Sequence, residues 1–401
     1  MKTALLDRAD AMLTALEETI VLHGDDSYAG LDAFLRMHNC CKIAVFTGRY
    51  SADASGAWNK LLAGLRFVHA GVVRFKDIPA EPDMECVHNM TDFLRRNDPD
   101  CVIALGGGSV MDAAKAAYIV YQSNMQLVDC FGSNRISDKF PGREFKRIIA
   151  IPTTSGTGSE LTQYSNIVNR TGNVKQLISD PVLVPAVAVL DGKLTCSMPY
   201  DVTLATGCDA MAHLLEGWLN VNMDTENGLI DQAAALGVEL LLENLPVVLS
   251  EPENHSARKA VQLAAALGGL TIRNKSTGLP HLLSFSWFGR IEHGIAVARL
   301  LPAAWRYYIE RKEVAIRSLE IGKVFGGNTP EEVIAAYEKF LDKLGVKELS
   351  EYEALDEALK EQTCRSAGAN RMKLELAPRP VPLEESEEIL RNILNEAWKR
   401  K

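Results

Sequence analysis

The 401-residue chain contains no run of about 18 apolar residues, the length a membrane-crossing helix requires, so no span is expected. Basic residues are in deficit. With 43 Lys+Arg against 52 Asp+Glu the net charge is −9, a balance unsuited to gripping nucleic acid or an anionic membrane. The eight cysteines (Cys40, Cys41, Cys86, Cys101, Cys130, Cys196, Cys208 and Cys364) show no C-x-x-C spacing for zinc or dithiol chemistry, and reduced, mostly buried thiols fit. The N-terminal segment carries Asp7, Asp10, Glu17 and Glu18 inside its apolar pattern, so it lacks the uninterrupted apolar core of a signal peptide. These absences leave a cytoplasmic enzyme as the expectation.

What is present is ordinary globular material, 47% apolar and 24% charged, long enough for two domains at roughly 100 to 200 residues each. Short apolar runs suited to buried parallel strands stand at Lys42–Thr47, Val72–Phe75, Cys101–Leu105, Arg147–Ile151 and Ala186–Leu190, with helix-length segments between several of them. That alternation predicts a doubly wound α/β layer whose ligand crevice lies at the carboxyl ends of the strands. Beyond Met198 the β-branched runs stop, and Ala- and Leu-rich segments with helical spacing take over. The turn Ser197-Met198-Pro199 therefore divides an α/β domain, residues 1–197, from an all-α domain, residues 198–401. The charged end from Glu385 onward reads as a solvated helix.

In CVIALGGGSVMDAAK, Gly106, Gly107 and Gly108 follow an apolar strand, and Ser109 onward opens a helix. Glycine lets a backbone approach a diphosphate, while free N–H groups and the helix dipole favour its charge. The spacing is neither G-x-G-x-x-G nor a P-loop, and taken alone it equally suits a strand-to-helix turn without ligand. A second polar turn, IPTTSGTGSE from Ile151 to Glu160, follows another strand; its hydroxyls would also serve as caps. Two such turns at neighbouring strand ends favour a dinucleotide.

Asp209 and His213 are four residues apart, hence on one helical face, and Glu216 shares that face. A carboxylate and an imidazole so placed chelate one divalent ion, with Glu216 available to orient a ligand, although such pairs also occur by chance. His281 and His293 lie in strongly apolar segments, where a lone histidine is usually a hydrogen-bonded core residue. The four together make an N/O set suited to Fe(II), with Zn(II) or Mn(II) as alternatives. His23, His38, His69, His88 and His255 read as surface or structural.

These residues resemble the iron-containing, or group III, alcohol dehydrogenases. The resemblance runs over nearly the whole chain in five ordered motifs: GGGSVMDAAK at 106–115, PTTSGTGSELT at 152–162, the stretch Asp180 to Pro185, ATGCDAMAH at 205–213, and His293-Gly294. It implies an N-terminal nucleotide-binding α/β domain, a helical metal domain of the dehydroquinate synthase-like kind, and a cleft between them. By matching positions, Asp209, His213, His281 and His293 look like the catalytic metal ligands. Gly106, Gly107, Gly108 and Ser109 look like the diphosphate turn, with Asp112, Thr153, Thr154, Ser155, Thr157 and Lys175 lining the cofactor. Two departures are visible. Phe285 stands where many members have a second active-site histidine, and Pro280 is expected to perturb a helix carrying His281.

The implied activity is NAD(P)H-linked interconversion of a small aldehyde and its alcohol, in a homodimer or larger homo-oligomer. Gly48 stands where NAD-selective relatives place an acid, so Gly48, Arg49 and Ser51 lean toward NADPH. A continuous helix through IRNKSTGLPH is expected to put Asn274, Thr277 and Gly278 on the face of His281. Arg273 and Lys275, with Arg371 and Lys373 as a second basic pair, are a candidate grip for an anionic head group such as that of sulfoacetaldehyde or phosphonoacetaldehyde. A general short-chain alcohol dehydrogenase is the alternative, and a dehydroquinate synthase-like lyase a more distant one.

Overall fold

The computed structural model describes residues 2–399 apart from 25–26, 67, 69, 172–173, 224–227 and 354; His69 thus lies outside the described residues. The strands are β1 (Ile20–His23), β2 (Lys42–Gly48), β3 (Gly71–Ile78), β4 (Cys101–Gly106), β5 (Gly132–Ser133), β6 (Ile149–Pro152), β7 (Tyr164–Asn169), β8 (Val174–Ser179) and β9 (Val187–Leu190). Six of them form one sheet in the order β1-β9-β6-β4-β2-β3, with every pairing parallel. Strands β4, β6 and β9 are buried along their whole length, which is why they read as unbroken apolar runs. The chain runs outward from β2 to β3 and then returns to place β4 on the other side of β2, so the topological switch lies between β2 and β4. Gly48 and Gly106 end those two strands there, where open α/β sheets bind ligands.

All five expected strands are present, shifted by a few residues at their ends. The edge strand β1 and the small sheet β5-β8-β7 were not expected; β8 carries Lys175.

After β9 the long elements are helices. Tyr200–Leu219, Leu229–Ser250 and His255–Lys275 pack on one another around a continuous apolar core. Leu229–Ser250 is long and apolar enough to cross a membrane by composition, yet Ala233, Leu236, Leu240 and Leu241 on it are buried in that core. The first helix, Lys2–Thr14, also belongs spatially to this half: Leu5, Ala9 and Leu13 join the helical core against His255–Lys275. The C-terminal helix Ser386–Ala397 is amphipathic rather than solvated, with Leu390, Ile393 and Leu394 buried toward helix His293–Tyr308.

The expected helix through His281 is interrupted. His255–Lys275 ends at Ser276, whose φ is +57°, and a new short helix spans Leu279–Ser284. Pro280 sits in its first turn, where a missing N–H removes no hydrogen bond, so it starts this helix instead of perturbing it.

Candidate active site

Helix Tyr200–Leu219 brings Asp209, His213 and Glu216 to one buried face. His281 arrives on the short helix Leu279–Ser284, and His293 is the first residue of helix His293–Tyr308. Gly294 permits that arrival: a Cβ there would stand 1.8 Å from the Ala205 carbonyl oxygen, so only glycine lets the two helices close to this distance. The Nε2 atoms of His213, His281 and His293 lie 3.6, 3.5 and 3.7 Å from one oxygen, Asp209 Oδ1. The side chain of His293 is 34% exposed, against 5 to 6% for the other three, so it forms the face the cluster turns outward.

The donor set fits a divalent cation: ligand atoms of Asp209, His213 and His281 all lie within 4.8 Å of one another, and His293 approaches this group at Asp209. Asp209 Oδ1 and His281 Nε2 are buried without a hydrogen-bond partner, an arrangement that costs about 1–3 kcal/mol per group unless something satisfies it. The ring orientations are fixed from outside. His281 Nδ1–H donates to Glu216 Oε1 at 2.5 Å, and Glu216 Oε2 accepts the Gly278 N–H at 2.6 Å. The Ser284 hydroxyl donates to the His281 carbonyl oxygen at 2.8 Å, leaving its own oxygen to accept from His293 Nδ1–H at 3.1 Å. Both Nε2 atoms are thereby turned toward Asp209.

Charge follows the same geometry. Burial opposes it, but the imidazoles of His213, His281 and His293 hold the Asp209 carboxyl well below the usual carboxylate range. Burial pulls His213 and His293 down, so both favour the neutral, ligating form. Against burial, the Glu216 and Asp209 carboxylates push His281 up to about 9. A cation binding there would displace a proton from this ring.

The two glycine turns interlock at the switch point. Thr153 N–H donates to the Gly106 carbonyl oxygen at 2.9 Å; a Cβ on Gly108 would lie 2.6 Å from Thr157 Cγ2, and one on Gly107 3.2 Å from Thr154. Thr153 Oγ1 and Ser155 Oγ are buried without a partner, as a loop built to meet a polar ligand would leave them. The Ser109 hydroxyl donates to the Ala80 carbonyl oxygen. Gly158, at φ +60°, rests against the backbone of Gly269, where a Cβ would come within 2.4 Å, so the second turn docks on helix His255–Lys275.

Asp112, expected to line the cofactor, has both carboxylate oxygens engaged within the protein. Its Oδ1 accepts from Ser159 Oγ at 2.7 Å and its Oδ2 from Asn166 N–H at 2.9 Å. Lys115, fully buried, places its ammonium 2.7 to 2.9 Å from the carbonyl oxygens of Ser159, Thr162 and Tyr164. Both residues of the motif are struts under the second turn. A lysine among alanines on a buried helix face was the available signal. Asp180 is likewise structural, its carboxylate accepting the N–H groups of Ile136 and Ser137.

A cavity of about 390 Å³ opens between the halves, with Ala80, Glu81 and Lys175 on one side and Phe285, His293 and Tyr352 on the other. Lys175 pairs with Glu81 at 2.9 Å. The proposed substrate residues lie elsewhere. Arg273 is paired with Glu18, Asn274 donates to the Leu270 carbonyl oxygen at 2.8 Å, and Arg371, 72% exposed, pairs with Glu375 at 2.7 Å. Lys275 is buried against Asp231. Sequence reasoning missed Ser284, Glu81 and Tyr352, none of which stands in a distinctive pattern.

A parallel sheet with glycine turns at its switch point, facing an Asp-His-His-His cluster on helices across a cavity, defines a two-part class of nucleotide- and metal-dependent enzymes. The chain belongs to the iron-containing alcohol dehydrogenase family. The family model for iron-containing alcohol dehydrogenase matches residues 18–192, and that for the C-terminal part of the Fe-containing alcohol dehydrogenase family matches residues 203–394. An alcohol dehydrogenase of Thermococcus barophilus is 30% identical over 347 residues, covering 86% of this chain and 89% of that one. An NADPH-dependent butanol dehydrogenase of Clostridium saccharobutylicum is 29% identical, covering 80% and 82%. The chain also matches a third of the length of an aldehyde-alcohol dehydrogenase of Streptococcus pneumoniae, at 33% identity. The structure of an iron-containing alcohol dehydrogenase from Thermococcus thioreducens superposes with a TM-score of 0.84 at 25% identity, covering 96% of this chain and 99% of that one.

Proposed function

We propose that this protein interconverts a short, neutral aldehyde and its alcohol with NAD(P)H, at a divalent ion, Fe(II) first, held by Asp209, His213, His281 and His293. The observation that carries this reading is the convergence of three Nε2 atoms on one Asp209 oxygen, beside the cavity wall. When bound, the ion supplies Lewis-acid stabilisation of alkoxide character and the nicotinamide supplies or accepts the hydride.

The chain's own part is positional. Glu216 and Ser284 hold two imidazoles in the ligating tautomer. Thr153 and Ser155 offer unpartnered hydroxyls beside the glycine turn, and Ser109 tethers the turn to the cavity rim at Ala80. Phe285, Phe288 and Ile291 give the cavity an apolar wall that limits water at the reacting carbon. Neutral substrates are the first choice because Lys175 is already paired with Glu81 and Arg273 and Arg371 are engaged away from the cavity, and Arg290, the other cation lining it, stands beside Glu292 there.

NADPH is the favoured cofactor. Gly48 offers no acid at the end of β2, and the following acid, Asp53, is held by Arg74 and Lys76, which bring its carboxyl down to about 2. The butanol dehydrogenase relative is consistent with that choice. A cytoplasmic homo-oligomer completes the proposal and rests on the family resemblance alone.

The test is anaerobic metal analysis together with oxidation of NADH and NADPH against propanal, butanal and sulfoacetaldehyde, for wild type and the His213→Ala and His293→Ala variants. Both variants are expected to lose bound metal and to fall about 100-fold or more in turnover while keeping the wild-type circular dichroism spectrum. Full activity in metal-free His293→Ala overturns the reading.

A further inference from the structure

Lys373, on the short helix Arg371–Glu375, is 6% exposed and has no ion-pair partner among the described residues. Its ammonium is nevertheless saturated. Ser276 Oγ, Thr277 Oγ1 and the Thr277 carbonyl oxygen accept from it at 2.8, 2.9 and 3.0 Å, one acceptor for each N–H. It therefore has no donor left for a molecule in the cavity, and it does not line that cavity.

The residues it grips form the link between helix His255–Lys275 and the short helix bearing His281. Ser276 holds φ +57° without being glycine, a conformation that persists only where the surroundings enforce it. Each step of the link is held by a side chain from elsewhere. Asn220 Nδ2 donates to the Lys275 carbonyl oxygen at 2.7 Å, Lys373 takes Ser276 and Thr277, Glu216 Oε2 accepts the Gly278 N–H, and the Tyr308 hydroxyl oxygen accepts the Leu279 N–H at 2.7 Å. There is no slack at Gly278, where a Cβ would stand 2.7 Å from the Tyr308 oxygen. Glu216 uses its other oxygen to orient His281. The direction of the Gly278 N–H and the direction of the His281 ring thus share one carboxylate.

We propose that Lys373 is a positioning residue of the metal site: by clamping Ser276 and Thr277 it aims the Gly278 N–H at Glu216 and, through Glu216, sets the His281 ring at the ion. The proposal rests on the reading of Asp209, His213, His281 and His293 as a metal site. Methionine in place of Lys373 keeps much of the volume but removes the donor that Ser276 Oγ, Thr277 Oγ1 and the Thr277 carbonyl oxygen share, leaving that carbonyl only the Ser276 hydroxyl at 3.4 Å, so the turn is free to relax and Glu216 to rotate with it. Loss of a group that orients a ligand typically weakens metal affinity 10- to 100-fold, and Lys373 acts one residue further out, so the lower end of that range, about tenfold, is expected.

The experiment uses the full-length protein stripped of metal and titrated with cobalt(II) under a competing chelator, reading both affinity and the visible d–d spectrum. Lys373→Met is expected to bind cobalt about tenfold more weakly, with shifted bands, at an unchanged far-ultraviolet spectrum. Thr277→Val, which removes one acceptor, is expected to weaken binding severalfold, and Thr277→Ser, which keeps it, to restore both affinity and bands. If Lys373→Met does not fold, this threonine pair decides. Wild type that takes up no cobalt overturns the metal reading itself. Wild type that binds cobalt while Lys373→Met, or Thr277→Val against Thr277→Ser, matches it within twofold and with the same bands overturns the positioning role alone.

Discussion

Glu160 lies at the end of the second polar turn, 3% exposed, and burial pushes its carboxyl up to about 7 from an ordinary 4.5, with Lys115 only partly opposing. At 1.36 kcal/mol per pH unit the interval from 4.5 to about 7 corresponds to about 3 kcal/mol. The sign follows from which state ionises first. Below pH 4.5 the group is protonated in folded and unfolded chains alike and carries no penalty. Between pH 4.5 and about 7 the unfolded chain has given up this proton while the folded chain keeps it, so the folded state loses that free energy progressively across this window and does not regain it above. Glu160→Gln removes the titration while keeping the shape. With about 2.1 cal/mol/K of unfolding entropy per residue, a chain of this length unfolds with about 0.8 kcal/mol/K, which converts 3 kcal/mol to about 3–4 °C. Part of this returns through Lys115, whose charge the Glu160 carboxylate supports. Thermal unfolding followed at pH 5, 6, 7 and 8 should therefore show Tm of the variant rising relative to wild type by about 3 °C across the series. A difference that stays flat, or narrows as pH rises, refutes the reasoning.

Gly48→Asp should lower kcat/KM with NADPH by about tenfold or more while leaving NADH within about threefold, because a carboxylate at the end of β2 repels a 2′-phosphate; equal losses for both cofactors in steady-state kinetics would count against that placement. Gly294→Ala drives a Cβ into the Ala205 carbonyl and should cost about 3 kcal/mol or more, seen as a lower Tm with weaker metal retention, since neither atom in contact is the end of a flexible side chain. Arg273→Ala and Arg371→Ala should leave kcat/KM within about twofold for propanal and sulfoacetaldehyde, as expected for cations that pair with Glu18 and Glu375 and do not line the cavity. A large loss confined to sulfoacetaldehyde would restore the cationic grip.

Much of this organisation was legible because it rests on local chemistry. Unbroken apolar runs marked the central strands, since strands covered on both faces need no alternation. The i, i+4 spacing of Asp209 and His213 and the glycines after β4 were readable for the same reason: each function is confined to one turn of chain. What stayed hidden depends on distant partners. β1 is a four-residue edge strand with one buried residue, and nothing in its sequence separates it from a loop. Arg273 looked free because Glu18 comes from the other end of the chain. Asp112 and Lys115 belong to a motif associated with the cofactor, yet their partners at Ser159 and Asn166 turn them into internal supports. The break at Ser276 was masked by a good helical pattern up to Lys275 and becomes intelligible only with the side chains of Asn220 and Lys373 that hold it.

The contact between Gly158 and Gly269 has a mechanical consequence. Where helices pack through interlocking side chains, rotamers can change and the surfaces slide; two backbones in direct contact have no such compliant layer. Gly192 makes a second junction of this kind on the same helix, His255–Lys275, where a Cβ would stand 2.8 Å from the backbone of Lys259. With two main-chain contacts on one helix, the second turn, which carries Thr153 and Ser155, is seated on the helical half without side chains that could slide. The spacing between the second turn and the helical half is thus set by main chain and not by rotamers.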